Sequence, residues 1–95
     1  MFVQIMKFEL DPNEAVRLIE EYADAAAGTT YARRAIVCED RNNPGTVYQM
    51  IFFDSAEEAE RNNGLEVTQT AAEDFGALVG DVEFTDLDLI LDRTV

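Results

Sequence analysis

The stretch TVYQMIFFDSAEEAERNN, residues 46–63, decides the fold. Its first eight residues are β-branched, aromatic or long and apolar with a single amide, the composition of a buried pleated strand. Asp54 and Ser55 stop that run. Ser55 followed by Glu58 is the spacing of a capping box, in which a hydroxyl and a carboxylate satisfy the free N–H groups at a helix start. Asn62-Asn63-Gly64 then ends the short helix, because Asn and Gly tolerate the backbone conformation that a helix end needs. The segment therefore reads as strand, polar turn and helix.

Upstream, Arg41-Asn42-Asn43-Pro44-Gly45 is a reversal by its turn chemistry. Residues 31–40 (YARRAIVCED) read as a strand, so 31–40 and 46–53 form an antiparallel hairpin. Asp11-Pro12-Asn13-Glu14 starts an earlier helix, with Asp11 as N-cap, Pro12 in the first turn and Glu14 completing a capping box. That helix places Ala15, Val16, Ile19, Tyr22, Ala23 and Ala26 at helical spacing, and Gly28 closes it. Residues 2–10 are the strand before it. Downstream, a helix over 66–79 carries Val67, Ala71, Phe75, Leu78 and Val79 on one side and ends at Gly80. Residues 81–93 form the last strand. Its apolar parity switches between Phe84 and Leu87, which predicts a bulge near Thr85–Asp86. The order β-α-β-β-α-β predicts one α+β domain over residues 1–95. Its layout is ferredoxin-like, a four-stranded antiparallel sheet with helices on one face.

Twenty acidic residues against seven basic ones give a net charge of −13. Such a field repels phosphate backbones and anionic lipid, so neither nucleic acid nor a membrane is expected as a partner. The N-terminus lacks a basic segment followed by a long apolar run, so no signal peptide or membrane span is expected. Cys38 is the only cysteine. An intrachain disulfide is thereby excluded, which suits a cytoplasmic protein.

A two-layer domain needs one apolar sheet face, and the other should turn polar. Here both parities are apolar. Phe2, Met6, Phe8 and Leu10 oppose Val3 and Ile5 in the first strand, and Tyr48, Met50 and Phe52 oppose Val47, Ile51 and Phe53 in the third. Each large apolar side chain left in water forfeits roughly 1.5–3 kcal/mol of burial. A homodimer that covers the helix-free face is the simplest remedy. Partial exposure in a monomer is the alternative.

The chain has no nucleotide-binding glycine loop, no nucleophile elbow, no Cys/His pair and no zinc pattern. Asp86, Asp88 and Asp92 have the chemistry of hard-cation ligands, but charge guarding an edge strand accounts for them better. Arg33 and Arg34 face opposite sides of their strand. Either could bind an anion or carbonyl, and an ion pair with one of the many acids is the plainer reading. Gln4, Tyr22 and Tyr48 carry polar tips within apolar elements and either point into a ligand cleft or sit satisfied at a core edge. Asn62 and Asn63 are helix-ending residues first and candidate catalytic amides second. Cys38 has no basic neighbour or helix start beside it and reads as an inert thiol.

In VYQMIFFDSAEEAERNN, the aromatic strand end, the short polar turn and the helix start S-x-E-E-A carry a resemblance. Through Phe52, Phe53, Asp54, Ser55, Glu57, Glu58 and Ala59 the chain resembles the antibiotic biosynthesis monooxygenase-like domains of the dimeric α/β-barrel superfamily. The resemblance implies a homodimer that binds a small apolar or aromatic molecule, with cofactor-independent oxygenation as its reaction. The family often has Trp where Phe53 stands, and many members carry His after the short helix. This chain has neither Trp nor His. Haem degradation, which needs an imidazole ligand, is therefore not expected, nor is any metal or other cofactor. The resemblance implies Arg34 or Tyr48 as oxyanion stabilisers and Asn62 or Asn63 as substrate-orienting amides. A binding or stress-responsive dimer without catalysis is the competing expectation.

Overall fold

The computed structural model describes residues 1–95. Seven elements follow one another: β1 (Phe2–Glu9), α1 (Pro12–Ala25), β2 (Arg34–Glu39), β3 (Thr46–Phe53), α2 (Ala56–Asn63), α3 (Glu66–Gly76) and β4 (Glu83–Asp88). The strands form one sheet in the order β2-β3-β1-β4, and every neighbouring pair is antiparallel. This is the ferredoxin-like arrangement, with β1 and β3 in the centre.

Local chemistry sets the elements. The Asp11 carboxylate accepts from the Asn13 N–H at 2.8 Å, and Pro12 begins α1. Glu14 does not close the expected capping box. Arg17 holds both its carboxylate oxygens, at 3.0 and 2.9 Å, and a bidentate charged pair outcompetes a single bond back to the cap. At α2 the Ser55 hydroxyl accepts from the Glu58 N–H at 3.1 Å, so the hydroxyl half of that box forms. Glu58 Oε2 is buried without a partner. The β2–β3 reversal turns on Gly45, whose φ of +92° is open to glycine without strain.

Side-chain parity follows the register. Phe8 pairs with Val47, Met6 with Gln49 and Gln4 with Ile51, and these residues face the helices. On α1, Ala15 and Ala26 are buried and Ile19 and Tyr22 half-buried, whereas Val16 and Ala23, expected on that face, are exposed at its flanks. The core is thin and split, with only 11 of 95 residues buried. One cluster gathers Phe8, Ala15 and Val47, with the ring of Phe75 edge-on to Phe8 at 4.7 Å. The other gathers Ile51, Phe53 and Ala59. Along β3 the residue between the two clusters is Gln49.

Two sequence expectations fail at β4. The bulge near Thr85–Asp86 is absent, since pairing with β1 runs unbroken from Lys7↔Glu83 to Phe2↔Asp88. The parity switch arises because Phe84 faces the helix side opposite Met6, while Leu87 faces the other side opposite Val3. The strand also stops at Asp88 rather than near residue 93. Its pairing with β1 ends at Phe2↔Asp88, followed by one bond from the Leu89 N–H to the Met1 carbonyl at 2.9 Å.

The helix-free face carries Val3 and Ile5 from β1, Ile36 from β2, Met50 and Phe52 from β3 and Leu87 from β4. Charged groups sit at its margins, with the Arg34 guanidinium 5.7 Å from the centre of the Phe52 ring. No helix is long and apolar enough to cross a membrane.

Candidate functional site

Between the sheet and the helices, in the gap that splits the core, lies a cleft of about 430 Å³. Small-molecule sites occupy about 300–1,000 Å³ and are mostly apolar with a few placed polar groups. The floor is Gln4, Met6, Gln49 and Ile51. α1 supplies Leu18, Ile19 and Tyr22, and α3 supplies Thr68, Ala71 and Phe75. Phe84, 62 % exposed, belongs to the same wall. Of the 16 lining residues 11 are hydrophobic, and none is Asp, Glu, Lys, Arg or His. A wider groove of about 630 Å³ runs between α1 and α3 with Glu21, Glu66 and Asp74 on its walls. Those carboxylates belong to solvent-exposed residues, so nothing in that groove lacks a partner.

One end of the cleft is held by a network around Asn62, which is 4 % exposed. Its Oδ1 accepts from the Tyr31 N–H and the Thr30 hydroxyl, each at 2.9 Å. Its Nδ2 donates to the Tyr22 hydroxyl at 3.1 Å. Thr30 Oγ1 spends its own proton on Asn62 and also accepts from the Ala32 N–H at 3.1 Å. The Tyr22 hydroxyl also lies 3.1 Å from Thr30 Oγ1 and 2.9 Å from the Thr68 hydroxyl. This network joins α1, α2, α3 and the approach to β2. It also explains why β2 begins at Arg34 rather than residue 31, since the Tyr31 and Ala32 amides are taken by side chains.

The four residues singled out from the sequence do not come together. Asn62 and Asn63 line the cleft. Arg34 and Tyr48 share the register of Phe52 and Cys38 and lie on the opposite, helix-free face. Arg33 forms the ion pair with an acid, its Nε 3.1 Å from the Asp54 carboxylate at the exposed surface. Gln4 and Tyr22 do line the cleft. Gln49 escaped the sequence reading, although its signal was there: it is the one amide at the buried parity between Val47 and Ile51. No three His, Cys, Asp or Glu side chains converge as a metal site, and Asp86 and Asp88 lie on β4, an edge strand exposed throughout.

No family model and no curated protein matches the sequence. Solved structures match closely in shape. SnoaB, a cofactor-independent oxygenase from Streptomyces nogalater, superposes with a TM-score of 0.79 at 13 % identity over 96 % of this chain and 94 % of its own. A protein from Deinococcus radiodurans named for antibiotic biosynthesis monooxygenases gives 0.77 at 16 % identity, over 100 % of this chain and 98 % of its own. Rv0793 from Mycobacterium tuberculosis gives 0.75 at 16 % identity, over 98 % of each chain. The chain has the ferredoxin-like fold of the antibiotic biosynthesis monooxygenase-like proteins. The likeness spans nearly the full length of the chain.

Proposed function

We propose that the chain works as a homodimer, that each protomer binds a small apolar or aromatic molecule between sheet and helices, and that it oxygenates an electron-rich aromatic without a cofactor. The observation that carries this reading is the cleft, a predominantly apolar space with a few amides, where a packed core would otherwise lie. Its similarity in shape to a cofactor-independent oxygenase supports the reaction class by analogy of fold alone. Of the two helix-end asparagines at the cleft, Asn63 is the one that the network leaves free, so it orients the ligand. Asn62 acts through Tyr22 by holding that ring in place. Arg34 and Tyr48 serve the dimer-facing surface.

The second half of the reading rests on the other face. Ile5, Ile36, Met50 and Phe52 form an apolar surface around the buried Val3 without helices over it, and Leu87, Ile90 and Leu91 beside the edge are 44, 91 and 75 % exposed. A second copy covers both.

A non-catalytic binding dimer is the competing reading, favoured by the absence of an acid–base pair in the cleft lining. Oxygen uptake with 1-naphthol as substrate separates the two. The oxygenase reading expects uptake above the protein-free rate that persists with a chelator present and falls roughly tenfold in kcat/KM in Asn63→Ala. Saturable binding of 1-naphthol without oxygen uptake establishes the binding reading instead.

A further inference from the structure

Gln49 is 9 % exposed, yet its carboxamide makes no hydrogen bond within the chain, and neither does that of Gln4. Both side chains line the cleft. Glu58 Oε2 is the one side-chain polar atom sealed from solvent without a partner, so the two carboxamides open onto the cleft with their donors and acceptors free to meet a ligand. Leucine has nearly the same volume and would join the two halves of the core. Two such amides occupy one spot. Gln4 pairs with Ile51 and Met6 with Gln49, so the glutamines stand at diagonal positions of β1 and β3, roughly 7–8 Å apart at the backbone. Long side chains at that separation reach a common ligand edge.

We propose that Gln4 and Gln49 form a carboxamide pair that selects uncharged aromatic ligands bearing hydroxyl or carbonyl oxygens and rejects their anionic counterparts. This rests on the reading of the cleft as the ligand site. A carboxamide is neutral and offers both a donor and an acceptor, so it serves a hydroxyl or a carbonyl equally. An anion needs a cation or a cluster of N–H donors when it is desolvated. The cleft supplies no Lys, Arg or His. Asp86 pairs with Gln4 on the next strand, and the chain carries a net charge of −13, so the surrounding field opposes anion entry as well.

Equilibrium binding of naphthalene, 2-naphthol and 2-naphthoate to the wild-type protein, Gln49→Leu and Gln4→Leu tests this. Wild type is expected to bind 2-naphthol several-fold more tightly than naphthalene, and 2-naphthoate about a hundredfold more weakly than 2-naphthol. Gln49→Leu should lower 2-naphthol affinity roughly tenfold and leave naphthalene within about twofold, with a Tm no lower than wild type. Gln4→Leu should move 2-naphthol in the same direction. Equal binding of 2-naphthol and naphthalene in all three proteins overturns the pair's role while leaving the cleft as a site. Tight binding of 2-naphthoate overturns the charge selection. A collapse of Tm in both variants assigns the glutamines to the fold. Failure of all three probes removes the cleft reading itself, and the pair's role with it.

Discussion

Asn62 shows how much structure a single amide can hold. It joins the end of α2 to Tyr31, Thr30 and Tyr22, and through Tyr22 to Thr68 on α3. Asn62→Ala leaves a buried N–H and hydroxyl without partners and is expected to cost about 2–3 kcal/mol in urea unfolding. Asn63→Ala, at an exposed position one residue on, should stay within about 0.5 kcal/mol. The sequence placed both residues at a helix end and weighed both as catalytic amides. It could not separate them, because partners in segments distant along the chain decide which is locked. Asp40 yields a prediction in pH. Its carboxylate accepts from the Asn42 N–H and the Asn43 side chain in the β2–β3 turn, and these bonds hold its pKa below the usual 3.8. The folded value is depressed, so the contribution is fully present above pH 3.8 and is lost as pH falls through the lower folded value. The advantage of wild type over Asp40→Asn in urea midpoint should therefore be constant from neutral pH down to that point and vanish in stronger acid.

At the scale of elements, the sequence was most legible where local chemistry decides. β3, the Ser55 cap and the short helix, and the hairpin across Gly45 all stand where turn residues and apolar runs placed them. Gly45→Ala should cost about 1 kcal/mol, since φ of +92° strains any residue with a Cβ. β4 was legible in kind but not in length, because its extent is set by pairing with β1, which closes at Phe2↔Asp88, and not by its own apolar run. α3 ends at Gly76 rather than residue 79, with the Ala77, Leu78 and Val79 N–H groups bonding back to the Glu73 and Phe75 carbonyls. No residue of α3 is buried, so its hold on the sheet depends on half-buried contacts such as Phe75 on Phe8. Phe75→Ala is expected to lower stability by about 2 kcal/mol. In hydrogen exchange the α3 amides should open in that variant before those of α1, which carries buried Ala15 on its inner face.

At the scale of the molecule, one sheet serves two purposes. The helix side holds a split core with a cleft in the gap, and the other side presents an apolar surface with charged margins. The sequence exposed both apolar parities but not the cleft, because a void between layers depends on where helices settle rather than on any local pattern. The resemblance also placed Arg34 and Tyr48, as oxyanion stabilisers, in one site with Asn62 and Asn63, as substrate-orienting amides, and only the strand register divides the two pairs between opposite faces. Pairing through the helix-free face predicts a sedimenting mass about twice 10.6 kDa at micromolar concentration. Met50→Lys, which puts a charge in the middle of that face, should return the species to monomer mass. Neighbouring residues that alternate between the two faces also permit a direct test of where a ligand goes. In a methyl NMR titration with naphthalene, the methyl groups of Met6, Ile19 and Ile51 should shift in a saturable manner, while those of Ile5, Ile36 and Met50 stay in place. Saturable shifts confined to Ile5, Ile36 and Met50, or no shifts at either set, would contradict the cleft as the binding site.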